Sequence, residues 1–372
     1  MKKEVKIIPK VISLFSGCGG LDLGFHLSGY ETVWANDIDN WAAESFKKNF
    51  GNVIVCGDIE KIDPYNNNLI PECDLILGGF PCQDFSMIWK RPGLDGERGN
   101  LYKSFLRFVD AKKPKAFVAE NVKGLLTANN GKAIEQIIND FESILPGYII
   151  KPKLYNFADY GVAQFRERVL IVGIRIDTGF DFNHPKPTHG VKAGSSYFTA
   201  GNALEGVEKI LFNNEKINIA AKTEKIISMI SEGGNFTDIP KDSPFYVKGM
   251  ISHVYRRINR SEPSKTIIAA GGGGTWGYHY PEPRPLTNRE RARLQSFPDT
   301  FEFIGSVAEV RRQIGNSVPP QGIASLAKAL KPLFEGKYEK VDLHSIFNKV
   351  KNLSVKERIE FDVEDKKDRL KG

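Results

Sequence analysis

Short apolar runs alternate with amphipathic stretches along the first half of the chain. The apolar runs are too short for helices and are bounded by Gly, Asn, Asp and Glu, a pattern that predicts buried strands. Between several of them lie longer stretches with helical periodicity. Alternation of this kind predicts an α/β fold with a parallel, doubly wound sheet that carries helices on both faces. The predicted strands are residues 11–15, 32–35, 53–55, 75–77, 116–119, 149–156 and 169–174, and the predicted helices are residues 21–29, 41–49 and 132–145.

The pattern changes near residue 180. Residues 181–265 contain more Asn, Ser, Gly and Pro and show weaker periodicity, which predicts a separate, irregular domain. Helical periodicity returns at residues 288–295 and again at residues 323–333, just after the sequence GNSVPPQG. From residue 341 to residue 372 the chain is a charged extension, in which we predict one short helix.

Composition narrows the class of protein. The chain has 372 residues, of which 41% are hydrophobic and 26% are charged, as in soluble globular proteins. Its formal charge of +7 favours a polyanionic partner such as nucleic acid. No apolar run is long enough to cross a bilayer, and MKKEVKIIPK lacks the apolar core of a secretory signal. We therefore expect a cytoplasmic protein.

The chain contains four cysteines: Cys18, Cys56, Cys73 and Cys82. None belongs to a CxxC pair, so we predict neither a structural zinc site nor any other bound metal. A disulfide framework does not suit a large chain without secretory features. Cys56 and Cys73 lie beside apolar runs and are interpreted as small core residues.

Glycine and acidic residues follow the first three predicted strands, where ligands bind in open α/β sheets. The turn FSGCGG at residues 15–20 lets a ligand approach the backbone without clashes. Asp37 is placed to bind ribose hydroxyls, and Asp58 is placed to bind an adenine amino group or to fix its own loop. The turn lacks the GxGxxG pattern that holds a pyrophosphate. S-adenosylmethionine therefore fits better than NAD, with the ring of Phe15 facing its sulfonium.

A thiol, a carboxyl group and two guanidinium groups converge on the same region. Cys82 follows the fourth predicted strand in GGFPCQDFS, and Glu120 ends the fifth in AENV. Arg166 and Arg168 stand in QFRER, just before another predicted strand. Consecutive strands are usually neighbours, so these side chains are expected to share one cleft.

These segments resemble, in order and spacing, the DNA (cytosine-5) methyltransferase family of bacterial restriction–modification systems. The resemblance spans roughly residues 11–335 and is specific because the matches are ordered. It implies a discontinuous catalytic domain at residues 1–180 and 308–340, with a target-recognition domain and hinge at residues 181–307. The matching segments are SLFSGCGG, Asp37, GDI, GGFPCQDFS, ENV, QFRER, RPLTNRERARLQSFPD and GNSVPP.

The resemblance implies a role for each residue of the cleft. Cys82 would attack carbon 6 of a cytosine, because only then does carbon 5 become nucleophilic. Glu120 would hydrogen-bond the N3 and amino group of the base, and Arg166 and Arg168 would hold Glu120, the base or a phosphate. The residues expected around S-adenosylmethionine are Phe15, Ser16, Gly17, Cys18, Gly20, Asp37, Ile38, Asp58, Ile59, Pro81, Leu101, Asn316 and Ser317.

Double-stranded DNA is the implied partner, and its cytosine must leave the base stack to be reached. Residues 88–100 carry glycines and basic residues, which favours a lid that closes on DNA over an ordinary solvated loop. Basic residues at 253–257 are equally consistent with base contacts and with a solvated surface. The predicted DNA-binding residues are Gln83, Ser86, Ile88, Lys90, Arg91, Arg98, His253, Arg256, Arg257 and Thr266.

Other functions compete with this interpretation. A related branch of the family methylates transfer RNA, although the long variable domain favours the major groove of DNA. A protein that only binds DNA would not need Cys82, Glu120 and a complete cofactor turn. An NAD-linked oxidoreductase lacks the required fingerprint. We expect a monomer on DNA, with any cognate endonuclease acting independently.

Overall fold

Seven strands form one sheet in the computed structural model, which describes residues 7–81, 101–246, 248, 254–269, 276–351 and 353–360. The strand order is β3-β2-β1-β4-β5-β7-β6. The chain thus builds outward from β1 in one direction and then in the other, which creates a topological switch point between β1 and β4. The strands are β1 (Lys10–Leu14), β2 (Glu31–Asp37), β3 (Ile54–Cys56), β4 (Leu75–Gly78), β5 (Ala116–Val122), β6 (Tyr148–Asn156) and β7 (Glu167–Arg175).

The sheet is mixed, so the predicted α/β architecture is confirmed but the parallel sheet needs one correction. Strands β1 to β5 pair in parallel, whereas β7 runs antiparallel to both β5 and β6. The link from β6 to β7 contains the short 3-10 helix Phe157–Tyr160 and no crossover helix of the kind that joins parallel strands.

Helices cover both faces of the sheet. The consecutive residues Val11 and Ile12 of β1 belong to different hydrophobic clusters. Successive side chains of a strand point to opposite faces of the sheet, so the two clusters lie on opposite faces. One cluster contains helices α1 (Gly20–His26) and α9 (Pro320–Glu335), and the other contains α3 (Leu101–Lys112) and α4 (Lys132–Glu142). The doubly wound arrangement is therefore present.

The remaining described elements lie mostly in the second half of the chain. They include a two-stranded sheet of β8 (Arg256–Arg257) and β9 (Trp276–Tyr278). The further α-helices are α2 (Asn40–Phe50), α5 (Ala200–Leu204), α6 (Ala221–Ser228), α7 (Asn288–Leu294), α8 (Val307–Asn316), α10 (Leu343–Val350) and α11 (Val355–Glu360). Short 3-10 helices span Ile59–Lys61, Lys123–Leu126, Ala128–Gly131, Ile176–Thr178, Val191–Ala193, Val207–Lys209 and Phe236–Asp238.

The core of the smaller, irregular part is continuous with the first helix. Leu23 of α1 belongs to the same buried cluster as Leu294 of α7 and Phe297 after it. Residues 288–294 thus form a structural spine, as predicted, and this spine packs against the turn that follows β1. None of the described helices is both long enough and apolar enough to span a membrane.

The C-terminal extension forms two helices where one was predicted. Leu343 of α10 is buried in the cluster on one face of the sheet, and Val355 of α11 packs against the cluster on the other face. Arg358 forms a buried ion pair with Glu142 of α4. Helices α10 and α11 therefore both pack beside β6, at the outer edge of the sheet.

The stability of the fold should depend on pH through Asp22 of α1. Its carboxyl group is fully buried and accepts hydrogen bonds from Ser13 Oγ at 2.8 Å and Thr32 Oγ1 at 2.9 Å. Burial raises the pKa of Asp22 from 3.8 to about 6. A raised pKa in the folded state stabilises the protein below pH 4, and this contribution is lost as the pH rises through 6.

Asp22→Asn, which mimics the protonated acid, should therefore raise the free energy of unfolding at pH 8 by up to about 3 kcal/mol. The gain should shrink to nothing near pH 4. Urea unfolding of the wild type and the variant across this range measures the effect, with Glu208→Gln on the exposed surface as the control. An equal gain at pH 4 and pH 8 would contradict the prediction.

Candidate active site

A cavity of about 730 Å³ opens at the carboxyl ends of β1, β2, β4 and β5. It lies at the switch point of the sheet, where ligands bind in this architecture. Every residue that we predicted to surround the cofactor lines it, together with Glu120 and Arg168. The predicted cofactor residues around this cavity are Phe15, Ser16, Gly17, Cys18, Gly20, Asp37, Ile38, Asp58, Ile59, Pro81, Leu101, Asn316 and Ser317.

The turn after β1 is held in an unusual conformation. Phe15 has a φ of 53°, in the left-handed region that a bulky residue rarely adopts. Gly17 also has a positive φ, and a Cβ atom built on it would meet nothing within 4 Å. The backbone at Gly17 is therefore open to the cavity, as the sequence led us to expect.

Asp37 is oriented by main-chain donors at the end of β2. Its Oδ2 accepts a hydrogen bond from Gly17 N at 2.7 Å, and its Oδ1 accepts one from Asp39 N at 2.8 Å. Burial raises the pKa of this carboxyl group, while the two amide donors lower it. Each carboxylate oxygen has further acceptor capacity for a ligand in the cavity.

Asp58 fixes its own loop, one of the two roles that we considered for it. Its Oδ1 accepts a hydrogen bond from Glu60 N at 3.0 Å and caps the 3-10 helix that begins at Ile59. On the same side of the cavity, Ile38 leaves 73% of its surface exposed. An exposed apolar side chain at a cavity mouth suits a flat, apolar ligand surface.

The thiol of Cys18 lies in the hydrophobic core. The residue is buried, its Sγ lies 4.0 Å from Gln313 O, and burial raises its pKa to about 12. Its contribution to a ligand is therefore limited to the backbone of the turn.

Glu120 and Arg168 form an ion pair in the wall of the cavity. Arg168 Nε lies 2.9 Å from Glu120 Oε1, and the two side chains are only 15% and 13% exposed, respectively. Burial raises the pKa of Glu120, while Arg168 and then Arg166 oppose this rise. The site thus combines a carboxyl group whose pKa is raised by burial with a guanidinium that fixes its position.

Arg166, the other predicted catalytic arginine, lies behind the cavity wall. It is 1% exposed and is not among the residues that line the cavity. Its guanidinium donates to the carbonyls of Ile267, Gly315 and Ser317. Burial lowers the pKa of Arg166 to about 9. Within the described residues Arg166 is part of the framework behind the site.

Arg257 also differs from its prediction as a DNA contact. Its side chain is buried and donates to the carbonyls of Ile230 at 2.7 Å and His279 at 3.1 Å. Thr266 donates its hydroxyl proton to Phe165 O at 2.8 Å, which ties two segments together. Arg256 is half-buried in β8.

The other predicted DNA contacts, and the predicted nucleophile, lie outside the described residues. Pro81, which directly precedes Cys82 in the sequence, lines the cavity. The residues concerned are Cys82, Gln83, Ser86, Ile88, Lys90, Arg91, Arg98 and His253.

Sequence reasoning missed two cavity residues on α8, just before GNSVPP. Arg312 forms ion pairs with Asp39 and Glu309, and it thereby joins α8 to the start of α2. Gln313 accepts from Ser45 Oγ at 2.6 Å and donates to Ile304 O at 2.8 Å. The only feature of the sequence that could have indicated these two residues is their position just before the GNSVPP motif. No group of three or more potential metal ligands occurs among the described residues.

Solved structures share this fold. One, described as a DNA modification methyltransferase encoded within an Escherichia coli prophage, has a TM-score of 0.68 and 25% identity and covers 87% of this chain and 99% of its own. A Dnmt2 methyltransferase from S. pombe, at 18% identity, has a TM-score of 0.63 and covers 87% of this chain and 99% of its own. The fold is therefore that of methyltransferases.

The chain belongs to the C-5 cytosine-specific DNA methylase family, whose model matches residues 9–332. It is thus a DNA (cytosine-5-)-methyltransferase, which confirms the predicted family and enzyme class. The Type II methyltransferase M.NgoFVII of Neisseria gonorrhoeae is 68% identical over 94% of each chain. The Type II methyltransferase M.BbvI of Brevibacillus brevis is 42% identical over 86% of this chain and 90% of its own.

Gly79→Ala tests whether the position of Glu120 controls activity. A Cβ atom on Gly79 would lie 2.9 Å from Glu120 Oε2, so the carboxyl group must shift away from its place beside Arg168. We expect methyl transfer to DNA to slow by about tenfold or more, since small displacements of catalytic groups are costly. The melting temperature should change little.

Gly124→Ala is the matched control, because its Cβ atom would meet only Val122 Cγ2, at 3.9 Å. Single-turnover rates of both variants at saturating cofactor measure the effect. A wild-type rate for Gly79→Ala, or an equal loss in both variants, would show that this contact does not control the reaction.

Proposed function

We propose that this protein is the modification enzyme of a restriction–modification system, and that it methylates carbon 5 of a cytosine extruded from duplex DNA. The observation that carries the proposal is the Glu120–Arg168 pair in the wall of the strand-end cavity, which Pro81 also lines. Pro81 directly precedes Cys82 in the sequence. The names of the Neisseria gonorrhoeae and Brevibacillus brevis relatives support the biological role.

The cavity fits S-adenosylmethionine on chemical grounds. Gly17 leaves room for a ligand against the backbone, Asp37 offers acceptor oxygens, and Ile38 offers an apolar surface. Phe15 lines the same cavity, and an aromatic ring favours a positively charged sulfur. When bound, S-adenosylmethionine supplies an electrophilic methyl group.

In this proposal Cys82 starts the reaction. Its thiolate adds to carbon 6 of the cytosine, and the electrons of the carbon 5–carbon 6 double bond become available at carbon 5. Positive charge favours a thiolate, and Arg168 brings a guanidinium to the cavity wall that Pro81 shares. The adduct would otherwise gather negative charge on the ring.

Glu120 prevents that build-up. Burial raises the pKa of Glu120, and Arg168 holds its carboxyl group in place. In this proposal a proton on Glu120 is donated in a hydrogen bond to N3 of the base. After carbon 5 is methylated, loss of its proton returns an electron pair that expels the Cys82 thiolate. The bond between sulfur and carbon 6 is thus broken and the enzyme regenerated.

DNA enters this proposal as a duplex with one base displaced. Both faces of a stacked cytosine are covered, so attack on carbon 6 requires the base to leave the helix. The net charge of +7 favours contacts with phosphates, which also makes binding sensitive to salt. We propose a monomer on DNA that acts independently of its cognate endonuclease.

Cys82→Ala should abolish methyl transfer, because the ring is not activated without the thiolate. DNA binding and cofactor binding should remain. Bisulfite sequencing of a plasmid library exposed to each protein detects 5-methylcytosine and also reveals the recognised sequence, and transfer RNA serves as the alternative substrate.

Duplex DNA with 5-fluorocytosine at the mapped position should trap the wild type covalently, since fluorine does not leave as a proton does. The variant should form no such adduct. Turnover by Cys82→Ala, methylation confined to transfer RNA, or products modified at N4 or N6 would each refute the proposal.

Asp37→Ala should weaken binding of S-adenosylhomocysteine by about tenfold or more, because a charged hydrogen-bond partner contributes roughly 1.5–3 kcal/mol. DNA affinity should change little. Titration calorimetry measures the first and fluorescence anisotropy the second, and Asp63→Asn on the exposed surface is the control. Unchanged cofactor affinity would remove Asp37 from the binding site.

A further inference from the structure

An ion pair joins α8 to the segment that follows β2 in the wall of the cavity. Arg312 of α8 lines the cavity, and its guanidinium pairs with the carboxylates of Asp39 and Glu309. Asp39 directly follows Asp37 and Ile38, both of which line the cavity. Two segments that are far apart in the chain are thus tied together beside the predicted ribose-binding acid.

Asp39 connects this ion pair to Asp37. The main-chain N–H of Asp39 donates to Asp37 Oδ1 at 2.8 Å, and Gly17 N donates to Asp37 Oδ2 at 2.7 Å. The direction in which Asp37 presents its carboxylate therefore depends on where the main chain of Asp39 lies. Arg312 acts on that position from the other end of the same residue.

Both carboxylate oxygens of Asp39 have a partner. Its Oδ1 accepts from Ala42 N at 3.0 Å and caps α2, while its Oδ2 faces Arg312. Burial would raise the pKa of Asp39, but the hydrogen bond from Arg312 lowers it below its usual value. The residue is therefore ionised at neutral pH and is held between the end of one helix and the side of another.

Glu309 sets the direction of the Arg312 side chain. It lies one helical turn before Arg312 on α8, and its Oε2 accepts from Arg312 Nε at 2.9 Å. The guanidinium group is planar and presents its donors in a fixed fork, so one group can bridge the two carboxylates at a defined distance.

The rest of α2 is attached independently of this ion pair. Ser45 Oγ accepts from Ile304 N at 2.7 Å, and Asn49 Nδ2 donates to Glu302 O at 2.8 Å. These contacts lie further along the helix than Asp39. Loss of Arg312 should therefore release the first turn of α2 and the segment 37–39 without detaching the helix.

We propose that Arg312 is a positioning residue for the cofactor, which acts through Asp39 to hold Asp37 in the orientation that accepts the ribose hydroxyls of an adenosyl ligand. The inference rests on the proposed function of the cavity. Arg312 contributes to binding of the ligand and takes no part in the chemical step. Its replacement should thus change KM for S-adenosylmethionine and leave kcat nearly unchanged.

The test is a double-mutant cycle between Arg312 and Asp37. Titration calorimetry measures the affinity for S-adenosylhomocysteine of the wild type, Arg312→Met, Asp37→Ala and the double variant. In the wild-type background, Arg312→Met should weaken binding by about five- to tenfold. In the Asp37→Ala background the same replacement should cost about twofold or less, because the residue through which Arg312 acts is already absent.

Asp39→Asn is the companion variant. It removes the ion pair but keeps the main-chain donor to Asp37 and an oxygen for the cap of α2. It should weaken binding by the same factor as Arg312→Met, and the two replacements together should cost no more than either alone. If Arg312→Met does not fold, Asp39→Asn takes its place in the cycle with Asp37→Ala.

Arg175→Met is the matched control. Arg175 Nε donates to Asp177 Oδ1 at 2.7 Å, and its guanidinium also donates to Lys113 O. None of these three residues lines the cavity. Arg175 lies beside the start of β5, whereas the cavity lies at the end of that strand. Its replacement should leave the affinity for S-adenosylhomocysteine unchanged.

Wild-type affinity in Arg312→Met, or the same loss in both Asp37 backgrounds, would overturn the proposal. So would wild-type affinity in Asp39→Asn combined with a loss in Arg312→Met, since Arg312 would then contact the ligand directly. An equal loss in Arg175→Met would reduce the effect to general destabilisation. Failure of the wild type to bind S-adenosylhomocysteine, or wild-type affinity in Asp37→Ala, would instead contradict the proposed function of the cavity.

Discussion

The architecture depends on a contact between two glycine-containing segments that are far apart in the chain. Gly20, at the start of α1, leaves no room for a side chain, since a Cβ atom there would lie 2.0 Å from Ser317 Oγ and 2.5 Å from Val318 O. The chain leaves the large domain, builds the irregular part and returns to this point. The cavity is complete only because the returning turn closes against the helix that follows β1.

Buried charge is the second feature that organises the molecule. Arg166 and Arg289 are almost completely removed from water, and each satisfies its guanidinium mainly with main-chain carbonyls. Such groups are costly to bury unless their donors are matched, so they specify one arrangement of the loops around them. Glu120 is buried in the same region, but its partner Arg168 faces the cavity, so this pair remains available to a ligand.

Sequence reasoning succeeded where position in the sheet decides the outcome. Asp37 and Asp58 end parallel strands, and the ends of parallel strands meet at one edge, so their placement followed from the strand pattern. The burial of Arg166 did not follow from the sequence, because the residue precedes the first residue of β7, where strand alternation does not yet govern side-chain direction. The partners of Arg257 did not follow from the sequence either, because the carbonyls of residues 230 and 279 are brought together only by the irregular part. The antiparallel direction of β7 could not be predicted from the sequence. The link between the predicted strands at residues 149–156 and 169–174 has about a dozen residues, a length that suits either a parallel or an antiparallel pair.

The helices α10 and α11 change what the edge of the sheet presents to other molecules. Strand β6 is the last in the order, and Pro152 within it cannot donate to a further strand. Wrapped by residues 343–360, this edge offers little backbone to a neighbouring chain, whereas bare edges invite strand addition and aggregation. A fragment limited to the family-matched residues 9–332 would lack α10 and α11. The edge of β6 would then be exposed, and we expect such a fragment to aggregate more readily than the full chain.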